Sequence, residues 1–334
     1  MSKTIAIVGA TGAVGMEFLK VLEKRNFPIK ELKLYASKRS AGKKLTFKGE
    51  EIPVEVLSEN SFHNVEIALF SAGASVSKQF APAAVALGTV VVDNSSAFRM
   101  DPEVPLVVPE INAEEIKNHK GIIANPNCST IIMLIAIYPI HKLYNVKKII
   151  VSTYQAASGA GASAMYELEE QAKAFLEKKE VPIKVLPYQL AFNLFSHNSA
   201  VDLESGYNQE EIKMIKETKK ILNQPDIQVS PTCIRVSTFR AHAESITLEL
   251  EKPADLEEIK EAYRNFPSVR LVDDRQRNYF PMPLDATGID EVLVGRLRYD
   301  FEDKERKRIH LFAVGDQLLK GAALNAVQIA EYLK

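Results

Sequence analysis

"IAIVGATGAVG" (residues 5–15) decides the fold of the first part of the chain. The β-branched run before Gly9 is typical of a buried strand, and the amphipathic pattern after Gly12 is typical of a helix. Gly9, Gly12 and Gly15 form a G-x-x-G-x-x-G spacing, which permits a tight turn and a close approach of the backbone to a pyrophosphate. The N–H groups at the helix start favour such an anion. The stretch therefore predicts a dinucleotide-binding loop, and the alternative is a plain glycine turn between strand and helix.

The end of the second predicted strand indicates which dinucleotide this loop binds. NAD-binding domains usually place an acidic residue there, on the ribose 2′-hydroxyl. The segment "LYASKRSAGKK" (34–44) has no acid and offers Ser37, Lys38, Arg39 and Ser40 instead. Hydroxyl and guanidinium groups suit the 2′-phosphate of NADP, so NADP is the predicted cofactor. A solvated basic loop is the alternative interpretation.

Further strands and helices extend the pattern into a parallel sheet. An amphipathic helix with Val14 and Phe18 on its apolar face follows the first strand. Alternation of strands and helices predicts an α/β domain with a Rossmann-type parallel sheet. The strand-like runs of this part are "TIAIV" (4–8), "LKLYA" (32–36), "EIALF" (66–70) and "TVVVD" (89–93).

From about residue 147 the pattern changes to that of an α+β domain. Long strand-like runs lie at 147–155 and 227–239, and the alternation in "ESITLELEK" (244–252) is typical of an antiparallel sheet with one solvated face. Helices are predicted at 163–178 and 209–222. Their apolar faces are Met165, Leu168, Ala172 and Phe175 in the first and Ile212, Ile215 and Leu222 in the second.

The last segment, "GAALNAVQIAEYLK" (321–334), has the amphipathic character of the first domain. We expect this last segment to pack in the first domain, after the chain has formed the second domain. The predicted boundaries are 1–127 plus 312–334 for an NADP-binding domain, and 128–311 for a catalytic and dimerisation domain.

Composition excludes several classes of protein. The net charge of −1 over 334 residues provides no global field for nucleic acid or an anionic membrane. The longest apolar run, 131–140, is too short to span a bilayer, and the first residues are not expected to be a signal peptide. Two cysteines form no disulfide framework, so a cytoplasmic location is expected. No metal site is predicted.

The stretch "IANPNCSTIIM" (123–133) raises the question of a nucleophile. By residue type alone, Cys128 is more often a buried, inert thiol. A helix that begins near Ser129 would place this thiol at a helix N-terminus, where the dipole favours a thiolate. The same N–H groups could hold an oxyanion. Cys233 lies within an apolar strand, and we interpret it as part of the core.

Arg235 and His242 are candidate partners of that thiol. The two residues are seven apart, and in one continuous strand an odd offset places side chains on opposite faces. A turn at 238–241 would let them converge, but the spacing alone does not establish this.

Several motifs in one order identify a family. The chain resembles aspartate-β-semialdehyde dehydrogenases over essentially its whole length. The motifs that carry the resemblance are "GATGAVG", "SAGASVSKQFAP", "VVDNSSAFRM", "PLVVPEIN", "IANPNCST", "STYQAASGAG", "ETKKIL" and "GAALNAVQIAE". The resemblance implies reduction of β-aspartyl phosphate to aspartate semialdehyde and phosphate with NADPH, in lysine, threonine and methionine biosynthesis. It also implies a homodimer or a dimer of dimers.

The resemblance assigns roles to individual residues. Cys128 matches the nucleophile that forms a thioacyl-enzyme, Gln155 the glutamine that orients the reacting group, and His242 the acid–base histidine. Arg235 matches the arginine that binds the substrate α-carboxylate. Other matched substrate or phosphate positions are Arg99, Asn127, Glu217 and Lys220. The implied cofactor positions are Gly9, Thr11, Gly12, Ala13, Val14, Ser37, Arg39, Ser40, Ser71, Gly73, Ser158, Gly159, Gly161 and Gln317.

The chain also departs from the family pattern. Ala74 replaces a usual glycine, and its methyl group is expected to crowd the cofactor pocket. Gln317 replaces the asparagine that contacts the nicotinamide carboxamide in the family, and "SHNSAV" (196–201) replaces a usual proline-containing segment. Two alternatives are an N-acetyl-glutamyl-phosphate reductase and a non-catalytic NADP sensor on the same fold. Asn127 and Ser129 around the thiol favour the aspartyl enzyme over the former.

Overall fold

The computed structural model describes residues 2–333. The strands are, in chain order, β1 (Lys3–Val8), β2 (Ile29–Ala36), β3 (Lys44–Phe47), β4 (Glu50–Val56), β5 (Ile67–Phe70), β6 (Val90–Asp93), β7 (Ile122–Ala124), β8 (Val146–Gln155), β9 (Leu194–Ser196), β10 (Gln228–Val236), β11 (His242–Leu250), β12 (Val269–Leu271), β13 (Val292–Tyr299) and β14 (Arg308–Gly315). The α-helices are α1 (Ala13–Lys24), α2 (Ala74–Ala86), α3 (Pro109–Asn112), α4 (Cys128–Tyr144), α5 (Ala162–Leu176), α6 (Gln209–Ile221), α7 (Leu256–Asn265), α8 (Pro283–Ala286) and α9 (Leu324–Glu331). None of these helices is long and apolar enough to cross a membrane.

The chain divides into two compact units. The first unit contains the described residues up to Asn127 together with those from Gly321 onward, and the second contains Cys128–Lys320. The predicted return at residue 312 was therefore placed too early. Residues 308–315 form β14, which pairs with β11 and β13 in the second sheet, so the chain leaves that unit only after this strand.

The first unit is a seven-stranded sheet in the order β3-β4-β2-β1-β5-β6-β7. Every pairing in it is parallel except that of β3 with β4. The strand order reverses at β1, with β2 on one side and β5 on the other. In open parallel sheets ligands bind beyond the carboxyl ends of strands at such a reversal. The predicted Rossmann-type domain is confirmed.

The glycine loop connects β1 to α1 as predicted. Gly9 has a left-handed backbone (φ 86°), and Gly12 is the N-cap of α1. A Cβ on Gly9 would lie 2.3 Å from the Ser71 carbonyl oxygen, and one on Gly15 would lie 2.2 Å from the Gly9 carbonyl oxygen. Only glycine therefore lets β1, the loop and α1 pack this closely.

The second unit is a mixed sheet in the order β12-β13-β14-β11-β8-β10-β9. The predicted one-sided alternation is present in β11, where buried residues alternate with more exposed ones from Glu244 onward. However, the sheet is not purely antiparallel, because β8 and β10 run parallel. Helix α4 is buried on all sides from Ser129 to Ile137, so it forms the centre of this unit.

Helix α6 forms within one residue of the predicted bounds, but it buries a different face. The deeply buried residues include Met214 and Ile221 together with three acidic side chains, whereas Ile212 and Ile215 are only partly buried. The apolar pattern therefore identified the helix but missed its polar buried face. That face carries Glu210, Glu211 and Glu217.

Candidate active site

A cavity of about 490 Å³ lies beyond the carboxyl ends of the first unit's strands. Gly9, Thr11 and Gly12 line it from the glycine loop, and Ser71 lines it from the end of β5. Apolar side chains of Val76 and Phe80 complete a surface that suits an adenine ring. Helix α1 begins with Ala13 and Val14, next to this loop, and leaves backbone N–H groups at its start. The cavity therefore combines a glycine loop, a helix start and an apolar surface, which are the features that dinucleotide binding requires.

The loop after β2 adds the basic and hydroxyl groups that the sequence predicted. Ser37, Lys38 and Arg39 line the same cavity. The Thr11 hydroxyl donates to the Ser40 hydroxyl oxygen at 3.1 Å, which ties the two loops together. Cationic and hydroxyl groups thus lie where a ribose 2′-substituent is expected.

The other predicted cofactor positions are distributed over both units. Gly73, with a left-handed backbone (φ 90°), is the N-cap of α2 in the first unit, and Ala74 is not among the residues that line the described cavity. Ser158, Gly159 and Gly161 follow β8 in the second unit. Their contact with a cofactor stays a prediction.

The side-chain amide of Gln317 forms two hydrogen bonds within the second unit. Its Nε2 donates to the Ser158 hydroxyl oxygen, and its Oε1 accepts from the Ala241 backbone N–H at 2.9 Å. The side chain is almost completely buried. Gln317 therefore connects the segment after β8 to the turn before β11.

The two cysteines occupy different environments, as the sequence predicted. Cys128 is the first residue of α4 and is partly exposed, so the predicted helix start is confirmed. Cys233 is buried in β10, with its Sγ 3.6 Å from the Met214 sulfur. Burial raises the pKa of the Cys233 thiol far above its usual range. Only Cys128 has the setting of a reactive thiol.

The side chains of Gln155, Arg235 and His242 lie close together at one end of three neighbouring strands of the second sheet. Gln155 ends β8 and pairs with Arg235 on the parallel strand β10, while His242 begins the antiparallel strand β11 on the other side of β8. A Cβ on Gly159 would lie 3.1 Å from both Arg235 Nη1 and His242 Nε2. The two side chains therefore converge, which the sequence spacing alone left open.

His242 is held in one tautomer. Its Nδ1 accepts a hydrogen bond from the Ala156 backbone N–H at 3.1 Å, so the proton of the neutral ring resides on Nε2. Nε2 is buried and has no hydrogen-bond partner among the described residues. Burial, followed by the charge of Arg235, lowers the pKa of His242 well below its usual value. The imidazole therefore presents a neutral N–H donor.

Arg235 is held by uncharged groups. Its Nη1 donates to the Ala156 carbonyl at 2.7 Å, and its Nη2 donates to His197 Nε2 at 2.9 Å and to Asn198 Oδ1 at 3.2 Å. Burial lowers the pKa of His197 to about 4, so this ring is neutral and can accept. The guanidinium thus keeps its charge for an anionic ligand.

Glu217 and Lys220 lie on α6, one turn apart, with Glu217 buried and Lys220 partly buried. Arg99 and Asn127 belong to the first unit and are both buried. Arg99 donates to the backbone carbonyls of Asn125 (2.9 Å) and Asn94 (3.0 Å), which fixes its side chain. The substrate and phosphate roles of these four residues stay predictions.

Sequence reasoning missed several residues that surround the convergent group. His197 and Asn198 follow β9, the edge strand that pairs with β10 beside Arg235. Glu210 on α6 accepts from Gln155 Nε2 at 3.2 Å. The departure from the family pattern at 196–201 was a sequence signal for His197. Glu210 had none, because the apolar pattern predicted a different buried face for α6.

The two units each contribute parts that are typical of one class of protein. The first unit has a nucleotide cavity on a parallel sheet, and the second has a cysteine at a helix start and a buried Gln–Arg–His group. Such parts are typical of an oxidoreductase that uses a nicotinamide dinucleotide. The family models "semialdehyde dehydrogenase, NAD binding domain" and "semialdehyde dehydrogenase, dimerisation domain" match residues 4–119 and 137–320. The chain belongs to the semialdehyde dehydrogenase family, and the predicted resemblance is confirmed.

Individual relatives agree over the full length. The chain is 55% identical over 329 residues to the aspartate-semialdehyde dehydrogenase of Synechocystis sp., covering 98% of this chain and 96% of that protein. It is 54% identical over 339 residues to that of Aquifex aeolicus, covering 100% and 98%. Among solved structures, aspartate semialdehyde dehydrogenase II of Vibrio cholerae, complexed with ASA, superposes with a TM-score of 0.96 at 43% identity, covering 100% of this chain and 98% of that one.

Proposed function

We propose that this chain reduces β-aspartyl phosphate to aspartate semialdehyde and phosphate with NADPH, through a thioacyl group on Cys128. The observation that carries the proposal is the convergence of Gln155, Arg235 and His242 within the unit whose central helix begins at Cys128. Burial lowers the pKa of Arg235, and the charges of Glu210 and then of Cys128 oppose that lowering, so Cys128 and Arg235 are within electrostatic reach of each other. Full-length similarity to aspartate-semialdehyde dehydrogenases supports the same substrate and a place in the biosynthesis of lysine, threonine and methionine.

The acylation step needs a thiolate, a carboxylate clamp and a stabilised oxyanion. The Cys128 sulfur attacks the acyl carbon, a sulfur–carbon bond forms, and the carbon–oxygen bond to phosphate breaks. Arg235 binds the substrate α-carboxylate, since the acceptors on its Nη atoms are neutral and its Nε has no hydrogen-bond partner among the described residues. N–H groups at the start of α4 and the Nε2–H of His242 stabilise the negative oxygen. Arg99 and Lys220 are the proposed phosphate ligands, with Asn127 and Glu217 as further substrate contacts.

The reduction step uses the same groups. The hydride that reduces the thioester carbon comes from the nicotinamide when the cofactor is bound. His242 then donates its Nε2–H hydrogen bond to the new alkoxide oxygen. When the carbonyl re-forms, the carbon–sulfur bond breaks, the aldehyde leaves and Cys128 returns to a thiolate. Because the ring acts as a neutral donor, no protonated histidine is required.

The test is a steady-state assay of NADP reduction with aspartate semialdehyde and phosphate. We expect Cys128→Ala to abolish turnover, because no thioacyl group can form. The matched control, Cys233→Ser, removes the other thiol and should retain turnover. Equal losses in both variants would contradict the assignment.

NADP is the proposed cofactor, and Arg39 is its proposed discriminator. Arg39 lines the cavity after β2, where no acidic residue competes for the ribose. Arg39→Ala should raise the KM for NADP by about tenfold while leaving that for NAD nearly unchanged, since one charge-assisted phosphate contact is lost. Lys43→Ala, an exposed position of the same loop outside the cavity, is the control. An unchanged preference in Arg39→Ala would assign this side chain to solvent.

A homodimer or homotetramer is the proposed assembly. The face of the second sheet opposite α4 exposes Ile150 (41%) and Tyr154 (37%), and the Tyr154 ring lies 6.4 Å from that of Phe312. Light scattering should show that Tyr154→Asp lowers the mass of the assembly and that Tyr332→Asp, in the first unit, does not.

A reducing cytoplasm is the proposed location. Two free thiols, one of them the proposed nucleophile, support this setting.

A further inference from the structure

Glu210 has a position that the family resemblance did not assign. It lies in the first turn of α6 and is only 4% exposed. Its Oε1 accepts a hydrogen bond from Gln155 Nε2 at 3.2 Å, and its Oε2 lies 3.1 Å from Lys213 Nζ. The helix start and the lysine both favour the ionised carboxylate.

Glu210 is not needed to begin the helix. The capping box of α6 consists of Asn208 and Glu211, whose side chains accept from each other's backbone N–H groups at 3.0 and 2.8 Å. Glu211 also accepts from the Cys233 backbone N–H at 2.9 Å. The neighbouring acid therefore has a structural function, and the buried position of Glu210 calls for a different explanation.

The Gln155 amide is held at both ends. Its Oε1 accepts from the Thr153 hydroxyl at 3.2 Å, and its Nε2 faces Glu210. A side-chain amide can be turned by 180° with little change in shape, and a hydroxyl can either donate or accept. A carboxylate can only accept. Glu210 is therefore the partner that decides which way the amide points.

We propose that Glu210 is a positioning residue: it fixes the Gln155 amide with the NH2 group toward α6 and the carbonyl toward Thr153, which leaves the second N–H for the substrate. This inference rests on the proposed function, in which Gln155 orients the reacting acyl group. Glu210 acts through Gln155 and touches no reacting atom.

A second mechanism must be separated from this one. The negative charge of Glu210 also raises the pKa of Arg235, His197 and His242, against the stronger lowering effect of burial. Glu210 could therefore act through its charge alone. Glu210→Asp keeps the charge but withdraws the carboxylate by one methylene, whereas Glu210→Gln keeps the length and removes the charge.

Kinetics of these variants provide the first test. If positioning is correct, Glu210→Asp and Glu210→Gln each lower kcat by about tenfold, the size expected for losing one hydrogen bond to a charged group. KM for aspartate semialdehyde should change less than about twofold, and the melting temperature should stay within a few degrees. Lys213→Met, which removes only the outer partner, should leave kcat within about twofold. A normal kcat in Glu210→Asp would overturn positioning in favour of charge.

Non-additivity provides the second test. In a Gln155→Ala background, Glu210→Asp should have almost no further effect on kcat, because the group it positions is gone. Independent losses that multiply in the double variant would show that Glu210 does not act through Gln155.

A neutron structure of the deuterated wild-type protein tests the orientation without any activity. The amide nitrogen of Gln155, which carries both deuterons, should lie on the side of Glu210. An amide nitrogen on the side of Thr153 would overturn the inference. If the wild type lacked activity but showed this orientation, the proposed function would fail and the positioning would stand.

Discussion

Glu244 on β11 gives the strongest physical prediction of the structure. Its side chain is fully buried, on the same face of the strand as His242 and Ile246. Neither carboxylate oxygen has a hydrogen-bond partner among the described residues. Burial raises the pKa of Glu244 well above its usual value of 4.5. The folded protein therefore binds a proton that the unfolded chain releases as the pH rises through that value.

The magnitude follows from proton linkage. Where the folded state holds one proton more than the unfolded state, the free energy of unfolding falls by about 1.4 kcal/mol per pH unit. The contribution of Glu244 to stability is thus largest below its unfolded pKa near 4.5 and is lost as the pH rises toward its folded pKa. Glu244→Gln keeps the size of the side chain and removes this titration. The variant should gain about 1.4 kcal/mol on the wild type per pH unit in that window.

The measurement is urea unfolding at about pH 5, 6 and 7. Far-UV circular dichroism is the suitable signal, because the chain has no tryptophan. Glu249→Gln is the control on the same strand, since that carboxylate is partly exposed and lies 3.5 Å from Arg308. A stability difference for Glu244→Gln that does not change with pH would refute the assignment of a buried, proton-binding carboxyl.

Two further predictions concern the candidate active site. Iodoacetamide should alkylate Cys128 with an apparent pKa below about 8.5, because the helix start favours the thiolate, while buried Cys233 should not react in the folded protein; mass spectrometry of digested samples over a pH series measures both. Gly159→Ala should lower kcat/KM by about tenfold or more with little change in melting temperature, because the new Cβ would lie 3.1 Å from Arg235 and His242; unchanged kinetics would show that substrate binding tolerates this crowding.

The sequence predicted those parts of the fold that follow from local pattern. The first two parallel strands, the glycine turn and the start of α4 depend on residues that are close in the chain. The strands β3, β7 and β12 were not predicted, because β3 lacks a continuous apolar run and the other two have only three residues. The four-residue strands β5 and β6 were predicted, because each lies in a run of consecutive apolar residues. The return boundary was misplaced because it falls within β14, whose pairing with β11 and β13 the sequence does not reveal.

The buried polar face of α6 shows why site residues are harder to predict. Hydrophobic periodicity assumes that the apolar stripe of a helix faces the core. In α6 the buried face carries Glu210, Glu211 and Glu217, so the apolar Ile212 and Ile215 pointed to the wrong face. A functional helix departs from the pattern at the positions that matter for function.

Pairing direction within the second sheet also lies beyond sequence pattern. Gln155 and Arg235 lie at the same end of the sheet because each lies at the carboxyl end of its strand and β8 and β10 are parallel neighbours. His242 lies there too because it begins β11, which runs antiparallel to β8 on the other side. If β8 and β10 were antiparallel, their carboxyl ends would lie at opposite ends of the sheet. The candidate site depends on this one parallel pairing.

The peptide groups of Ala156 connect these strand ends into one unit. The Ala156 N–H donates to His242 Nδ1 at 3.1 Å and thereby sets its tautomer, while the Ala156 carbonyl accepts from Arg235 Nη1 at 2.7 Å. One residue thus orients both His242, the proposed oxyanion donor, and Arg235, the proposed carboxylate clamp. Because backbone atoms do this, no side-chain identity could reveal it, and alanine scanning of the site would not detect it. The segment after β8 thus orients His242 and Arg235 through backbone atoms, while Gln317 connects it to the turn before β11 and Gly159 leaves room for the two side chains.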